Sequence, residues 1–178
     1  MVDDDSGWLP FASRTPSPNF DLRPIDVGVE LIVIHAISLP PDEFGGPGII
    51  ELFTNRLDPV EHPYYRAICH LRVSAHFLIR RDGELIQLVS CEARAWHAGA
   101  SSWHGRPACN DFSIGIELEG CDSIPFTDAQ YRTLVALLAE LRLRYPIADV
   151  VGHSDIAPGR KTDPGPCFDW SRLHLIAP

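Results

Sequence analysis

His153 and Asp163 lie on one restricted loop, V-G-H-S-D-I-A-P-G-R-K-T-D-P-G-P over residues 151–166. The apolar pair Val150 and Val151 leads into it, and three prolines and three glycines run through it. Such restriction costs conformational freedom, and it is found where the backbone must hold something in place. An imidazole and a carboxylate held there suit zinc if a further histidine comes from elsewhere. Three protein ligands and one open position describe a hydrolytic zinc site. A surface turn carrying an ion pair fits the same stretch. Lys161, two positions before Asp163, is the only lysine in a chain whose other basic side chains are all arginine.

A second histidine is available at the end of V-E-L-I-V-I, residues 29–34. That run is apolar at almost every position, as buried central strands are, and it predicts His35 at the strand's C-terminal end. Ligand sites collect along that edge in open sheets, so His35 reads as a metal ligand. D-F-S-I-G-I-E-L-E-G, residues 111–120, alternates strictly. Ile114, Ile116 and Leu118 fall on one face, and Ser113, Gly115, Glu117 and Glu119 fall on the other. Glu117 is a candidate general base or a support for the metal ligands; a solvated edge strand is the plainer alternative. Trp96 and His97 sit in the loop A-W-H-A-G, where the indole is either a stacking platform for sugar or peptide or the plug of a core edge. His76 lies inside a strand pattern and reads as a packed, hydrogen-bonded side chain.

These residues need elements to position them. Residues 1–24 carry four prolines and no periodicity, which predicts an extended surface arm pinned by Trp8, Phe11 and Phe20. Residues 38–48, rich in Pro and Gly, follow His35 as a rim or lid. A short helix is expected over 49–57 with Ile50 and Phe53 inward, while 58–65 is too broken by proline to assign. Asp82-Gly83 between two β-rich runs marks a hairpin over 74–90. Thr127 and Gln130 match a capping box opening a core-packing helix that must end by Pro146. A strand over 148–151 delivers His153, and Asp169 caps a last short helix over 170–176. The expected architecture is α+β: one domain over residues 1–178, with a mixed central sheet of about five or six strands flanked by helices.

Composition narrows the function. Hydrophobic residues make up 45% and charged residues 22%, ordinary for a soluble globular protein. A net charge of -9 argues against nucleic acid or an anionic membrane as partner. The acidic start M-V-D-D-D-S shows no secretory signal pattern, and no apolar run reaches membrane-spanning length. The five cysteines are scattered without C-x-x-C spacing and read as reduced thiols of a cytosolic protein.

Together, V-I-H-A-I-S-L-P-P, R-V-S-A-H-F-L-I-R-R-D-G, A-W-H-A-G, C-N-D-F-S-I-G-I-E-L-E-G and G-H-S-D-I-A-P-G-R-K-T-D-P-G resemble the AmpD-type amidases, cytoplasmic zinc enzymes of bacterial cell-wall recycling. The resemblance spans residues 8–170. It implies a peptidoglycan-recognition-protein type of fold and hydrolysis of the amide between the lactyl group of 1,6-anhydro-N-acetylmuramic acid and the L-alanine of the stem peptide. By position, His35, His153 and Asp163 match the zinc ligands, Glu117 the catalytic carboxylate, and Lys161 the cation facing the developing oxyanion. Ala36 departs from the family's Asn after the first histidine, at a place where an amide would bond the substrate or the loop. Stem peptides carry carboxylates, so Arg72 and Arg160, and less directly Arg106, are expected to bind them beside Trp96 and His97. The expected partner is a small muropeptide, with no nucleic acid and no membrane, and the chain is expected to be monomeric. Two rivals share this fold or metal: a peptidoglycan-binding module that has lost a zinc ligand, and a purely structural zinc. The full set His35, His153, Asp163, Glu117 and Lys161 argues against the first. Structural zinc sites are usually closed by four ligands rich in Cys, and no Cys lies within a few residues of these ligands, which argues against the second.

Overall fold

The computed structural model describes residues 7–173. In chain order it forms β1 (Ser13–Arg14), β2 (Phe20–Leu22), β3 (Leu31–Ile37), α1 (Gly48–Phe53), α2 (Pro63–Ile68), β4 (Phe77–Ile79), β5 (Leu85–Gln87) and β6 (Ala93–Ala95). There follow β7 (Ser102–Trp103), β8 (Arg106–Pro107), β9 (Ser113–Glu119), α3 (Asp128–Arg144), β10 (Asp149–Gly152) and α4 (His153–Ile156). Six strands make one mixed sheet in the order β1-β5-β4-β9-β3-β10. Strands β10, β3, β9 and β4 run parallel to one another, while β5 turns back antiparallel against β4 across the Asp-Gly hairpin.

Alternation in the central strands sorts side chains to two faces. Ile32 and Ile34 of β3, with Ile114, Ile116 and Leu118 of β9, pack under α3 against Leu134, Leu137, Leu138 and Leu141. Fully burying one such side chain contributes about 1.5–3 kcal/mol, so this layer dominates the core. Thr127 caps α3 by accepting from the Gln130 N–H, and the Gln130 side chain accepts from Thr127 N–H in return. The opposite face carries α1 and α2, whose Ile49, Leu52, Phe53 and Tyr65 meet Leu78 and Ile86. On this second face, Leu31 and Val33 pack with Phe112 and Val151, and His35 and Glu117 stand further along it.

Register then gathers the chemistry. His35 is paired across from Glu117, and Gly152 across from Ile34, so His153, the next residue, emerges level with His35 at the C-terminal ends of the parallel strands.

Several expectations change. β3 begins at Leu31 and runs on to Ile37, so His35 lies within the strand, because β9 continues its ladder to the Ile37–Glu119 pair. In the arm, Phe11 and Phe20 are 57% and 47% exposed while Leu9 is 3% exposed. The arm is instead tied by β1 and β2 and by two buried polar residues. Ser17 Oγ donates to the Phe53 carbonyl at 2.5 Å, and Asn19 Nδ2 to the Val73 carbonyl at 2.8 Å. Residues 1–6 lie outside the described residues. α1 buries Phe53 as expected, but its other buried apolar side chains are Ile49 and Leu52, with Ile50 only partly buried against the same cluster. The segment broken by prolines contains α2, with Pro63 at its first position and the His62 side chain accepting from Tyr64 N–H as its cap; proline at that position removes no helical hydrogen bond. The last helix is a 3-10 turn over Trp170–Leu173, and the rest of its expected span lies outside the described residues.

Candidate active site and metal centre

His35 from β3, His153 from the start of α4 and Asp163 from the following loop bring three atoms into one small triangle. Nδ1 of His35 stands 3.0 Å from Nδ1 of His153, and Oδ2 of Asp163 is 3.1 Å from each. The two histidines are buried, and among the described residues these three form the group able to hold a metal ion. Local sequence explains the placement. Gly152 N–H donates to Asp155 Oδ2 at 2.7 Å, closing the first turn of α4, and Ser154 N–H donates to the Asp163 carbonyl at 2.9 Å, folding the loop back.

Charge state suits the triangle to a cation. Burial, only partly countered by the Asp163 hydrogen bond, pushes the His35 imidazole down to about 4. Burial raises the Asp163 carboxyl, but hydrogen bonds from His153 and His35 outweigh it and hold it below the ordinary carboxylate range. A neutral imidazole and a carboxylate are the protonation states that bind metals. Ligands at zinc distances of about 2.0–2.1 Å in a tetrahedron sit about 3.3 Å apart, close to the observed triangle.

Glu117 lines the same cavity, only 8% exposed, with its Oε2 buried and without a partner. Burial, reinforced by the Asp163 charge and opposed by Lys161, raises its carboxyl well above the usual range. Glu119, on the same strand face, is fully committed elsewhere. It accepts from Gly45 N–H at 2.6 Å, Arg80 Nη1 at 3.1 Å and Arg81 N–H at 3.1 Å. The cavity, about 370 Å³, also takes in Lys161 and Trp96, and has an apolar wall that includes Leu52, Ile68 and Leu71 from α1, α2 and the residues after it. That wall was not foreseen, because α2 had no recognisable pattern. A second recess of about 250 Å³ shares Trp96, His97, His153 and Lys161 with the first and adds Arg72 and Arg160.

Other expected site residues fall differently. Arg106 pairs with Glu30 at 3.3 Å and lies over the Phe112 ring, near the N-terminal ends of β3 and β9 and far from the triangle, because β7 and β8 turn it that way. Ala36 borders the cavity, but it packs against the α3 layer, opposite the face of His35. Trp96 Nε1 donates to Asp21 Oδ1 at 3.2 Å, which holds the indole edge-on to the arm. Arg160 Nη2 donates to the carbonyls of Ala98 and Ala100, both at 2.7 Å, and Arg72 Nη1 to those of Cys69, His70 and Leu71. His97 lies against His35, its Nδ1 2.9 Å from His35 Nε2. His76, as expected, is buried and bonded, its Nδ1 accepting from Gly115 N–H at 3.0 Å.

Comparison with known proteins agrees in sequence and in shape. The family described as N-acetylmuramoyl-L-alanine amidase is matched over residues 25–166. The 1,6-anhydro-N-acetylmuramyl-L-alanine amidase AmpD of Citrobacter freundii is 59% identical over 174 residues, covering 97% of this chain and 93% of that protein. The crystal structure of a selenomethionine derivative of AmpD superposes with a TM-score of 0.94 at 60% identity, covering 96% of this chain and 97% of the other. The amidase AmiD from E. coli, solved with the substrate anhydro-N-acetylmuramic acid-L-Ala-D-gamma-Glu-L-Lys, superposes with a TM-score of 0.60 at 33% identity, covering 83% of this chain and 56% of that one. The chain belongs to the N-acetylmuramoyl-L-alanine amidase family.

Proposed function

We propose that this chain is a zinc-dependent amidase of cytoplasmic cell-wall recycling. It cuts the amide between the lactyl group of 1,6-anhydro-N-acetylmuramic acid and the L-alanine of the stem peptide, and acts as a single domain. The observation that carries this is the His35–His153–Asp163 triangle opening on a cavity that also holds the unpartnered carboxylate of Glu117. Bound zinc supplies a polarised carbonyl and water whose pKa falls to about 7. The chain's own groups do the rest. Glu117, raised in pKa and free of partners, takes a proton from the attacking water and returns it to the leaving amine nitrogen of L-alanine. Lys161 offers its ammonium to the oxyanion of the tetrahedral stage. The apolar wall takes the sugar side of the bond, and the recess with Arg72 takes the carboxylates of the stem peptide. Trp96, shared by both recesses, lies along the boundary where the scissile amide rests. The five cysteines are free thiols, two of them buried, which suits a reducing compartment.

The test is to incubate the protein with an anhydromuramyl tripeptide and weigh the products. The expected result is free tripeptide plus anhydro-N-acetylmuramic acid, lost on chelation and restored by zinc. Intact substrate, or cleavage at a peptide bond within the stem, would overturn the assignment.

A further inference from the structure

Each histidine of the triangle turns one nitrogen toward the metal position, and its other nitrogen is held by the same short segment, residues 97–98. His153 Nε2 lies 3.0 Å from the Ala98 carbonyl, which can only accept, while Nδ1 faces Asp163 Oδ2 at 3.1 Å; a cation in the triangle displaces the hydrogen between Nδ1 and Asp163, so Nε2 keeps its proton and Nδ1 becomes the lone pair. The His35 side follows by the same accounting. Ser113 Oγ donates to the Cys109 carbonyl at 2.6 Å, which uses its only hydrogen, so it accepts from His97 Nε2–H at 3.2 Å. A histidine ring that carries its single hydrogen on Nε2 has a lone pair on Nδ1. Its Nδ1 is then an acceptor, and His35 Nε2–H donates to it at 2.9 Å. The chain from the Cys109 carbonyl through Ser113 and His97 thus holds the His35 hydrogen on Nε2 and frees Nδ1, 3.1 Å from Asp163 Oδ2, to act as the lone pair toward a cation in the triangle.

The segment is itself clamped. Asn110 Oδ1 accepts from His97 N–H at 3.1 Å and Ala98 N–H at 2.8 Å, and Arg160 grips the Ala98 carbonyl from outside. The His97 ring lies flat against β9 at the one position that has no side chain. A Cβ on Gly115 would stand 2.4 Å from His97 Cγ, so this strand glycine makes room for the ring.

We infer that His97, seated on Gly115 and tied through Ser113, is a positioning residue that fixes the tautomer and angle of His35 for metal binding. This rests on the reading of His35, His153 and Asp163 as zinc ligands. It moves His97 from the substrate to the support of the metal. Partners of this kind typically alter metal affinity by about 10–100-fold when removed.

Zinc affinity, measured by competition with a chelator on the full chain, tests it. His97→Phe keeps a ring on Gly115 but accepts no hydrogen bond, and is expected to bind zinc about 10–100-fold more weakly. His97→Asn places Oδ1 near the position of Nδ1, and should recover most of that loss, as should the absorption spectrum of the cobalt-substituted protein. A folded His97→Phe with wild-type affinity, or an Asn variant no better than Phe, would overturn the inference. If His97→Phe does not fold, Ser113→Ala decides. A few-fold weaker affinity supports the relay, and unchanged affinity overturns it. A wild type that takes up no zinc would overturn the ligand reading itself, and the inference with it.

Discussion

Glu117 and Glu119 point from β9 to the same face, yet only Glu119 has donors around it. Changing them should therefore do different things. Glu117→Gln keeps the shape and removes the proton acceptor, so kcat should fall about 10²-fold or more with zinc content unchanged. The stability sign follows from its raised carboxyl pKa. The folded chain holds that proton more tightly than the unfolded one, so the group favours folding below the unfolded carboxylate range. That contribution is lost as pH rises through the raised value. Metal-free Glu117→Gln should accordingly melt no lower than wild type at pH 8, measured by thermal unfolding; a clear loss of Tm would contradict the burial argument. Glu119→Ala, by contrast, strands Arg80 and two backbone N–H groups and should cost about 3 kcal/mol of stability. Lys161 has an exposed, flexible stem at the cavity mouth. Lys161→Ala should lose about 10²–10³ in kcat while its zinc content stays that of wild type. Lys161→Arg has room to place its charge and should retain more activity than Ala. Equal turnover in Lys161→Ala and wild type would remove the ammonium from the mechanism.

Among the elements, the loop between β3 and α1 is anchored from beneath. Glu119 holds Gly45 N–H, and Arg80 Nη1 donates to the Gly46 carbonyl at 2.9 Å. Residues 38–48 are thus a pinned rim of the cavity. Arg80→Ala should free this loop, seen as faster amide hydrogen exchange at residues 44–46 and a raised KM, with kcat changed much less. Unchanged exchange would show that Glu119 alone anchors the loop. Strands β3, β4, β5, β9 and β10 and helix α3 were legible because their patterns are strong and the cap of α3 is explicit, whereas β1 lay in an arm without periodicity. α2 was not, because Pro59 and Pro63 look like breakers until the His62 cap is known. The burial of Ile49 and Leu52 in α1 escaped for a similar reason, since six residues give too few turns for periodicity to fix every inward position.

At the scale of the molecule, the net charge of -9 leaves local cations to meet an acidic peptide, and Arg72, Arg160 and Lys161 border one recess. The residue types of the triangle and of Glu117 could be picked out in the sequence because histidines after apolar runs, a carboxylate on an alternating strand and another on a loop restricted by Pro and Gly are chemically conspicuous. The supporting contacts were not, since His97 reaches His35 across 62 positions and only the register of β3 with β9 brings them together. Gly115 was the available signal: a glycine inside an apolar strand marks a close approach. The central claim is that these ligands hold one zinc on which amide cleavage depends. Titrating zinc into metal-free protein while following release of peptide from an anhydromuramyl peptide tests it most directly. Turnover should rise from near zero and saturate at about one zinc per chain, and His153→Ala should stay flat throughout; full turnover by the metal-free protein, or by His153→Ala, would contradict it.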